Sequence, residues 1–411
     1  HDMHPAETMT TLPSFDEIAL PEPLAGDAGS LAAGALGGLR QWLCSAEIRY
    51  DPTTLAEHSR LWVCDTTSGR WAQIFDEIRS FDTASPAGIR NAAAGVDCRT
   101  SVFVDPDSGG ESLLVGFDSP LGTRLLRLSE DTDPWPLARP IATSVQGVDY
   151  EQMVWFDGRV VGSRRDRDGQ DHILGLSPAG TDSTLPGGPC TPERFLSGLL
   201  AHEDTLYLTL TDKGRGFEVW KTTGRLDRPD WTPVLGRGAQ RYAQNQEVLT
   251  AFTHGQDLVL IAGASPGERI PESKFFDYQG FEVIRLGRDG VCELLAGVPR
   301  FSPQGLLVPL SGRGPNIERN PRLEFVCAAE HAGYLLIGVS DDDGFRFWVS
   351  ADGEDWRAFT TDDLRAIYRV LGCRLLSWGE QLTLLMATRE VSGQTRTRIL
   401  TARLGADSLE G

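Results

Sequence analysis

Six short stretches of this 411-residue chain place charged and polar side chains immediately ahead of apolar runs. They are Asp97-Cys98-Arg99, Asp149-Tyr150-Glu151, Glu193-Arg194, Asn245-Gln246-Glu247, Arg322-Leu323-Glu324 and Tyr368-Arg369, the last with Arg374 further along its run. If the runs are strands packed around one axis, these residues converge at one end of it. Arginines and carboxylates that face each other in a partly enclosed cavity perturb one another's pKa values, as acid–base catalysis requires. Glu151, Glu247 or Glu324 would then serve as acid or base. Arg99, Arg194, Arg322, Arg374 and Asn245 would hold an anionic or carbonyl group of a small polar substrate. Tyr150 beside Glu151 also suits glycoside chemistry, where a tyrosine can be the nucleophile. The same charges suit satisfied ion pairs along a water-filled channel equally well.

The elements that must position these residues are repeated. Phe195–Leu210, Gly216-Phe-Glu-Val-Trp-Lys221 and Trp231-Thr-Pro-Val-Leu235 make one unit. Val248–Ala262, Gly280-Phe-Glu-Val-Ile-Arg285 and Val291-Cys-Glu-Leu-Leu295 make the next. Phe325–Val339, Gly344-Phe-Arg-Phe-Trp-Val349 and Trp356-Arg-Ala-Phe359 make a third. Each is four short apolar or alternating runs separated by turn residues, the pattern of an antiparallel four-stranded meander. Such a unit recurring about every 45 residues predicts a blade, and the chain reads as an all-β, seven-bladed β-propeller. Helical periodicity is confined to Thr361–Leu371.

Weaker copies cover Gln41–Phe75, Val96–Ile141, Val148–Leu185 and Arg369–Leu404, with six or eight blades also open because the front half is less regular. The last copy is one strand short. Ser14-Phe-Asp-Glu-Ile-Ala-Leu20 is the expected donor of a closing outer strand, since pairing covers an exposed edge. The domain organisation expected is therefore an arm over residues 1–35 and one propeller over 36–411.

The Gly-Phe-Glu-Val-Trp-Lys run and Ser350-Ala-Asp-Gly-Glu-Asp-Trp356 resemble blades of bacterial BNR or Asp-box propellers, the sialidase-like repeat class. The second run has one residue fewer between Asp and Gly than that class. The resemblance implies a fold, because such propellers host hydrolases, lyases, cyclases and plain binding modules. No sialidase activity is implied.

Two insertions mark the proposed mouth. Ser265–Gln279 lengthens a second-to-third-strand loop, and Arg300–Arg319 lengthens the approach to the sixth unit; Phe275, Phe276 and Tyr278 could wall the cavity. Long loops in an economical fold are commonly functional. A packing collar or an oligomer contact is the other use of such loops.

Composition narrows the partners. A net charge of −19 disfavours nucleic acid and anionic membrane. No apolar stretch reaches the roughly 18 residues of a membrane helix, and the first residues do not read as a secretory signal. Seven scattered cysteines without a Cys-x-x-Cys pair suggest neither zinc nor a disulfide framework, and fit a reducing cytoplasm. His202, His254 and His331 recur at first-to-second-strand turns, on the face opposite the mouth, and read as turn residues; Asp341-Asp-Asp343 and Asp105-Pro-Asp-Ser-Gly109 read as solvated turns. No metal and no cofactor is expected. Only three of the 39 basic residues are lysines, which suggests a GC-rich bacterial genome. The reading that results is a cofactor-independent enzyme, of cyclase, lyase or hydrolase type, acting on a small-molecule substrate. A non-catalytic propeller that binds a peptide or protein partner is the alternative.

Overall fold

A computed structural model describes residues 14–21, 31–36, 40–51, 56–80, 98–104, 111–119, 122–129, 137–143, 149–166, 168–176, 182–264, 280–302, 305–310, 317, 325–341, 344–367 and 369–410. They build an all-β β-propeller. The strands form seven four-stranded antiparallel sheets and one two-stranded ribbon. The first strands of successive sheets lie side by side, from Leu31–Leu36 against Cys98–Val104 to Phe325–His331 against Arg369–Trp378. Each neighbouring pair of sheets buries its own apolar cluster. Leu113 and Val115 of the second sheet meet Trp42 and Val63 of the first; Val259 and Ile261 of the fifth meet Ile337 and Val339 of the sixth. Leu385 and Ile399 of the seventh meet Leu43 and Cys64 of the first. Sheets with two apolar faces can be buried only by packing face to face in series.

The Gly-Phe pair of the repeat has a definite job. Phe217, Phe281 and Phe345 are all buried in the intersheet clusters. Gly216 takes a φ of 88°, and a Cβ there would lie 2.4 Å from the carbonyl oxygen of Tyr242. Only glycine allows the second-to-third-strand loop to pass so close to the chain leading into the next sheet.

Two expectations are corrected. Leu31–Leu36 is the innermost strand of the first sheet, pairing with Ser45–Arg40, so a boundary between 35 and 36 cuts through a strand, and Gln41–Phe75 holds that sheet's outer three strands. Leu-Ala-Ala-Gly-Ala-Leu has too little polar alternation to announce itself. The helix expected over Thr361–Leu371 is a single turn, Asp362–Arg365, whose cap is Thr361 accepting from the Leu364 amide at 3.3 Å. It stops there because Arg369 already begins the first strand of the seventh sheet.

Asp16 and Glu17 pair with Thr401 and Leu400 on the outer strand of the seventh sheet. Four of the first strands carry a bulge at their third residue: Glu151, Ser197, Leu249 and Leu371. Bulges re-aim side chains and favour strand ends near working surfaces. Among the described residues, no helix is long and apolar enough to cross a membrane.

His331 ends the first strand of the sixth sheet and is fully buried. Its Nε2–H donates to the carbonyl of Leu404 at 2.8 Å, which leaves Nδ1 to accept from the Ser377 hydroxyl at 2.9 Å. Burial lowers its pKa, opposed by the Leu404 hydrogen bond. The unfolded chain therefore takes up the proton first. The contribution of His331 is full above the ordinary value of 6.5 and is lost as pH falls through the lowered one. Between pH 7.5 and 5 the melting temperature of the wild type should fall further than that of His331→Asn; parallel curves would refute this.

Candidate functional site

The third strands of the third, fourth and fifth sheets each begin with a carboxylate: Asp171, Glu218 and Glu282. Their positions follow from the meander, because the second-to-third-strand loop opens on the same end of the sheet as the chain leading into the first strand. That end is the proposed mouth. Arginine or backbone N–H groups meet each of the three.

Glu282 has the densest surroundings. It is 0% exposed. Oε1 accepts from the Val298 amide at 2.9 Å and from Arg300 Nη1 at 2.8 Å, with Arg241 Nη1 at 3.1 Å. Oε2 accepts from Arg300 Nη2 at 2.9 Å and from Asn245 Nδ2 at 2.6 Å. Paired parallel hydrogen bonds from one guanidinium fix both distance and plane. Arg300 Nε also donates to the Ala239 carbonyl at 2.6 Å, and Asn245 Nδ2 to that of Gly238 at 3.2 Å. Those carbonyls belong to Arg237–Gln240, a turn whose residues all have left-handed φ values, from 51° to 71°. Each non-glycine residue there costs about 1–2 kcal/mol, and the bonds to Arg300 and Asn245 hold the turn in place.

The other two carboxylates are simpler. Asp171 takes Arg165 Nε and Nη2 at 2.9 and 3.2 Å and the amide of Leu196, in the next sheet, at 2.7 Å. Arg165 lies over the Phe195 ring at 5.2 Å. Glu218 accepts from Arg194 Nη1 at 3.0 Å and from Trp220 Nε1 at 2.7 Å. A belt of carboxylates thus ties third strands to the chain leading into the first strands.

Of the residues expected at the mouth, the structure brings Asn245 into the Glu282 cluster and Arg194 onto Glu218. Both spend donors on protein carboxylates. Glu247 is half-buried and opens its strand opposite Gly263. Arg374 is exposed, opposite Leu385. Tyr150 pairs with Arg164 and Arg99 with Gly116 along the backbone, and Glu151 is the bulged residue between Tyr150 and Gln152. Glu324, Arg322, Phe275, Phe276 and Tyr278 lie outside the described residues. Among the described residues, no three His, Cys, Asp or Glu side chains gather as metal ligands. His202, His254 and His331 lie in separate sheets at two-residue turns.

Sequence reading missed Glu282, Arg241 and Arg300. The signal was present in the acidic residue after the repeated phenylalanine, Phe217-Glu218 and Phe281-Glu282, with Arg346 in the sixth sheet.

The insertion beginning at Arg300 forms the ribbon Arg300–Ser302 with Gly305–Leu307 and then runs beside the outer strand of the fifth sheet, where Leu310 donates to the Leu294 carbonyl at 2.9 Å. Phe301 and Leu306 face each other across it. Among the described residues, five of the eight exposed large apolar side chains are Phe301, Leu306, Val308, Leu310 and Tyr242, all on this ribbon, the segment that follows it or the adjoining turn. Phe301 is 80% exposed. A concentration of this kind marks an interaction surface more than scattered exposure does.

No protein-family profile and no curated protein matches the sequence. Solved structures do. A puromycin hydrolase superposes with a TM-score of 0.53 and 13% identity over 94% of this chain and 56% of its own. A puromycin-hydrolyzing peptidase from Mycobacterium tuberculosis gives 0.55 and 13% over 97% and 55%. Prolyl oligopeptidase B from Galerina marginata gives 0.50 and 10% over 87% and 47%. The chain spans about half the length of these proteins. At such identities the likeness concerns the fold: a β-propeller like those of peptidases.

Proposed function

We propose that the chain is a polypeptide-binding propeller, a ring of seven blades closed by Asp16–Glu17, gripping an extended peptide or a partner protein on the face where the first strands begin. The apolar ribbon carries this reading: Phe301 and Leu306 stand in solvent, while Arg300 beside them is anchored by the buried Glu282. Likeness to peptidase propellers supports polypeptide as the ligand class. Fluorescence anisotropy with labelled, unstructured peptides rich in aromatic and aliphatic residues should show saturable binding. The pair Phe301→Ser and Leu306→Ser should weaken it at least about tenfold without lowering the melting temperature, because both side chains are already exposed. Peptide binding that ignores the pair, or no binding at all, rejects the proposal.

The second reading is a cofactor-independent enzyme acting on a small polar or anionic molecule at the mouth. Glu247, half-buried beside the Leu249 bulge, favours it, and Glu151 bulges at the equivalent place two sheets earlier. Turnover of a small ester, amide or glycoside that disappears in Glu247→Gln would support this reading over the first. The free cysteines among the described residues fit a reducing compartment.

A further inference from the structure

Two cysteines meet at the junction of the sixth and seventh sheets. Cys327 is the third residue of Phe325–His331, and Cys373 lies in Arg369–Trp378, the adjacent inner strand. Cys373 packs on the cluster that holds Cys327, near enough for its thiol to push the pKa of the Cys327 thiol up. Room for the Cys327 sulfur comes from Gly338 directly across the strand pair, where a Cβ would stand 2.8 Å from Sγ. The exposures differ: Cys327 is 4% exposed, and Cys373 is half-buried. Cys44 and Cys64, though on adjacent strands, belong to clusters on opposite faces of the first sheet.

We propose that Cys327 and Cys373 are a reversible redox pair that peroxide converts into a disulfide bridging the inner strands of the sixth and seventh sheets. Cys373, the more accessible sulfur, meets the oxidant. Its thiolate attacks one oxygen of hydrogen peroxide, the O–O bond breaks, and Cys373 becomes a sulfenic acid with release of hydroxide. The Cys327 sulfur then displaces the sulfenic oxygen, which leaves as water once the proton of the Cys327 thiol is transferred. Overall, two thiols and one peroxide give one disulfide and two waters, and a dithiol reductant reverses the oxidation. Burial of Cys327 keeps the bridge away from bulk reductant, and its raised pKa, due first to the neighbouring Cys373 thiol and then to burial, keeps it a thiol until Cys373 is oxidised.

The test uses the full chain, folded, with a few equivalents of hydrogen peroxide, followed by alkylation and non-reducing peptide mapping. A Cys327–Cys373 cross-linked peptide is expected, with loss of two of the seven thiols. A Tm rise of roughly 5 °C that dithiothreitol abolishes should accompany it. Cys373→Ser, which leaves the buried sulfur in place, should show neither the cross-link nor the rise. Cys327→Ala should instead stall at a sulfenic acid on Cys373, detectable with a dimedone probe. Over-oxidation of Cys373 without a cross-link in the wild type, or a cross-link to any other cysteine, overturns the proposal. So does retention of both thiols while other cysteines react.

Discussion

Removing residues 1–25 should lower the melting temperature by more than about 10 °C. The short strand at Asp16–Glu17 is only the visible part of the attachment. Phe15 is buried against the sixth sheet, its ring stacked on Phe347 at 5.9 Å. Glu17 takes Arg396 at 2.9 Å and Arg398 at 2.8 Å on the seventh sheet. Ile18 and Leu20 pack into the cluster shared by the seventh and first sheets, and the Trp71 indole of the first sheet donates to the Ala19 carbonyl at 2.9 Å. The six residues Phe15–Leu20 therefore touch three consecutive sheets. Burying a phenylalanine and two aliphatic side chains is worth about 1.5–3 kcal/mol each when burial is full, whereas the partly exposed ion pairs add little. Phe15→Ala alone should cost about 3 kcal/mol, and Glu17→Ala under about 1 kcal/mol. Calorimetry decides between this and a loose tail: a melt unchanged by the truncation contradicts the whole account.

The largest single-residue effect should come from Glu282→Ala. Its removal leaves Arg241 and Arg300, both almost fully buried, without their shared carboxylate. Breaking a buried ion pair from one side costs about 3–5 kcal/mol, more than the pair is worth over an apolar replacement. The left-handed turn Arg237–Gln240 should loosen with it, since Arg300 and Asn245 would lose the anchor that aims them at the turn's carbonyls. Glu282→Gln keeps the shape and one acceptor oxygen, so an intermediate loss is expected. Urea unfolding gives the magnitude, and hydrogen exchange at Ala239 and Arg241 reports the turn. A Glu282→Ala variant as stable as the wild type would rule out this role.

Much of this arrangement was readable from the residues, and the exceptions have physical causes. The Gly-Phe pair carries both the turn that only glycine allows and the phenylalanine that fills the intersheet core, so the fourth to sixth sheets stand out. Leu31–Leu36 does not, because alanine and glycine pack an inner strand without leaving an alternating pattern. Asn245 and Arg194 belonged to the right end of the molecule, yet their role there is to satisfy Glu282 and Glu218. That pairing depends on Arg241 and Arg300, whose approach rests on a left-handed turn and on an insertion. Neither has a periodicity that a sequence pattern can report.

The bulges at the third residue of four inner strands have a consequence for which side chains share a surface. In an unbroken strand, residues one, three, five and seven would point the same way. Here Glu247 lies opposite Gly263 while Thr250 and Phe252 lie opposite Ile261 and Val259, so residue one keeps company with residues four and six. Asp149 is likewise in phase with Gln152 and Val154, and Arg369 with Gly372 and Arg374. The two faces of these first strands therefore change parity just after their starts. A residue assigned to one face of the sheet by simple alternation from the body of the strand lies on the other face at the strand's start.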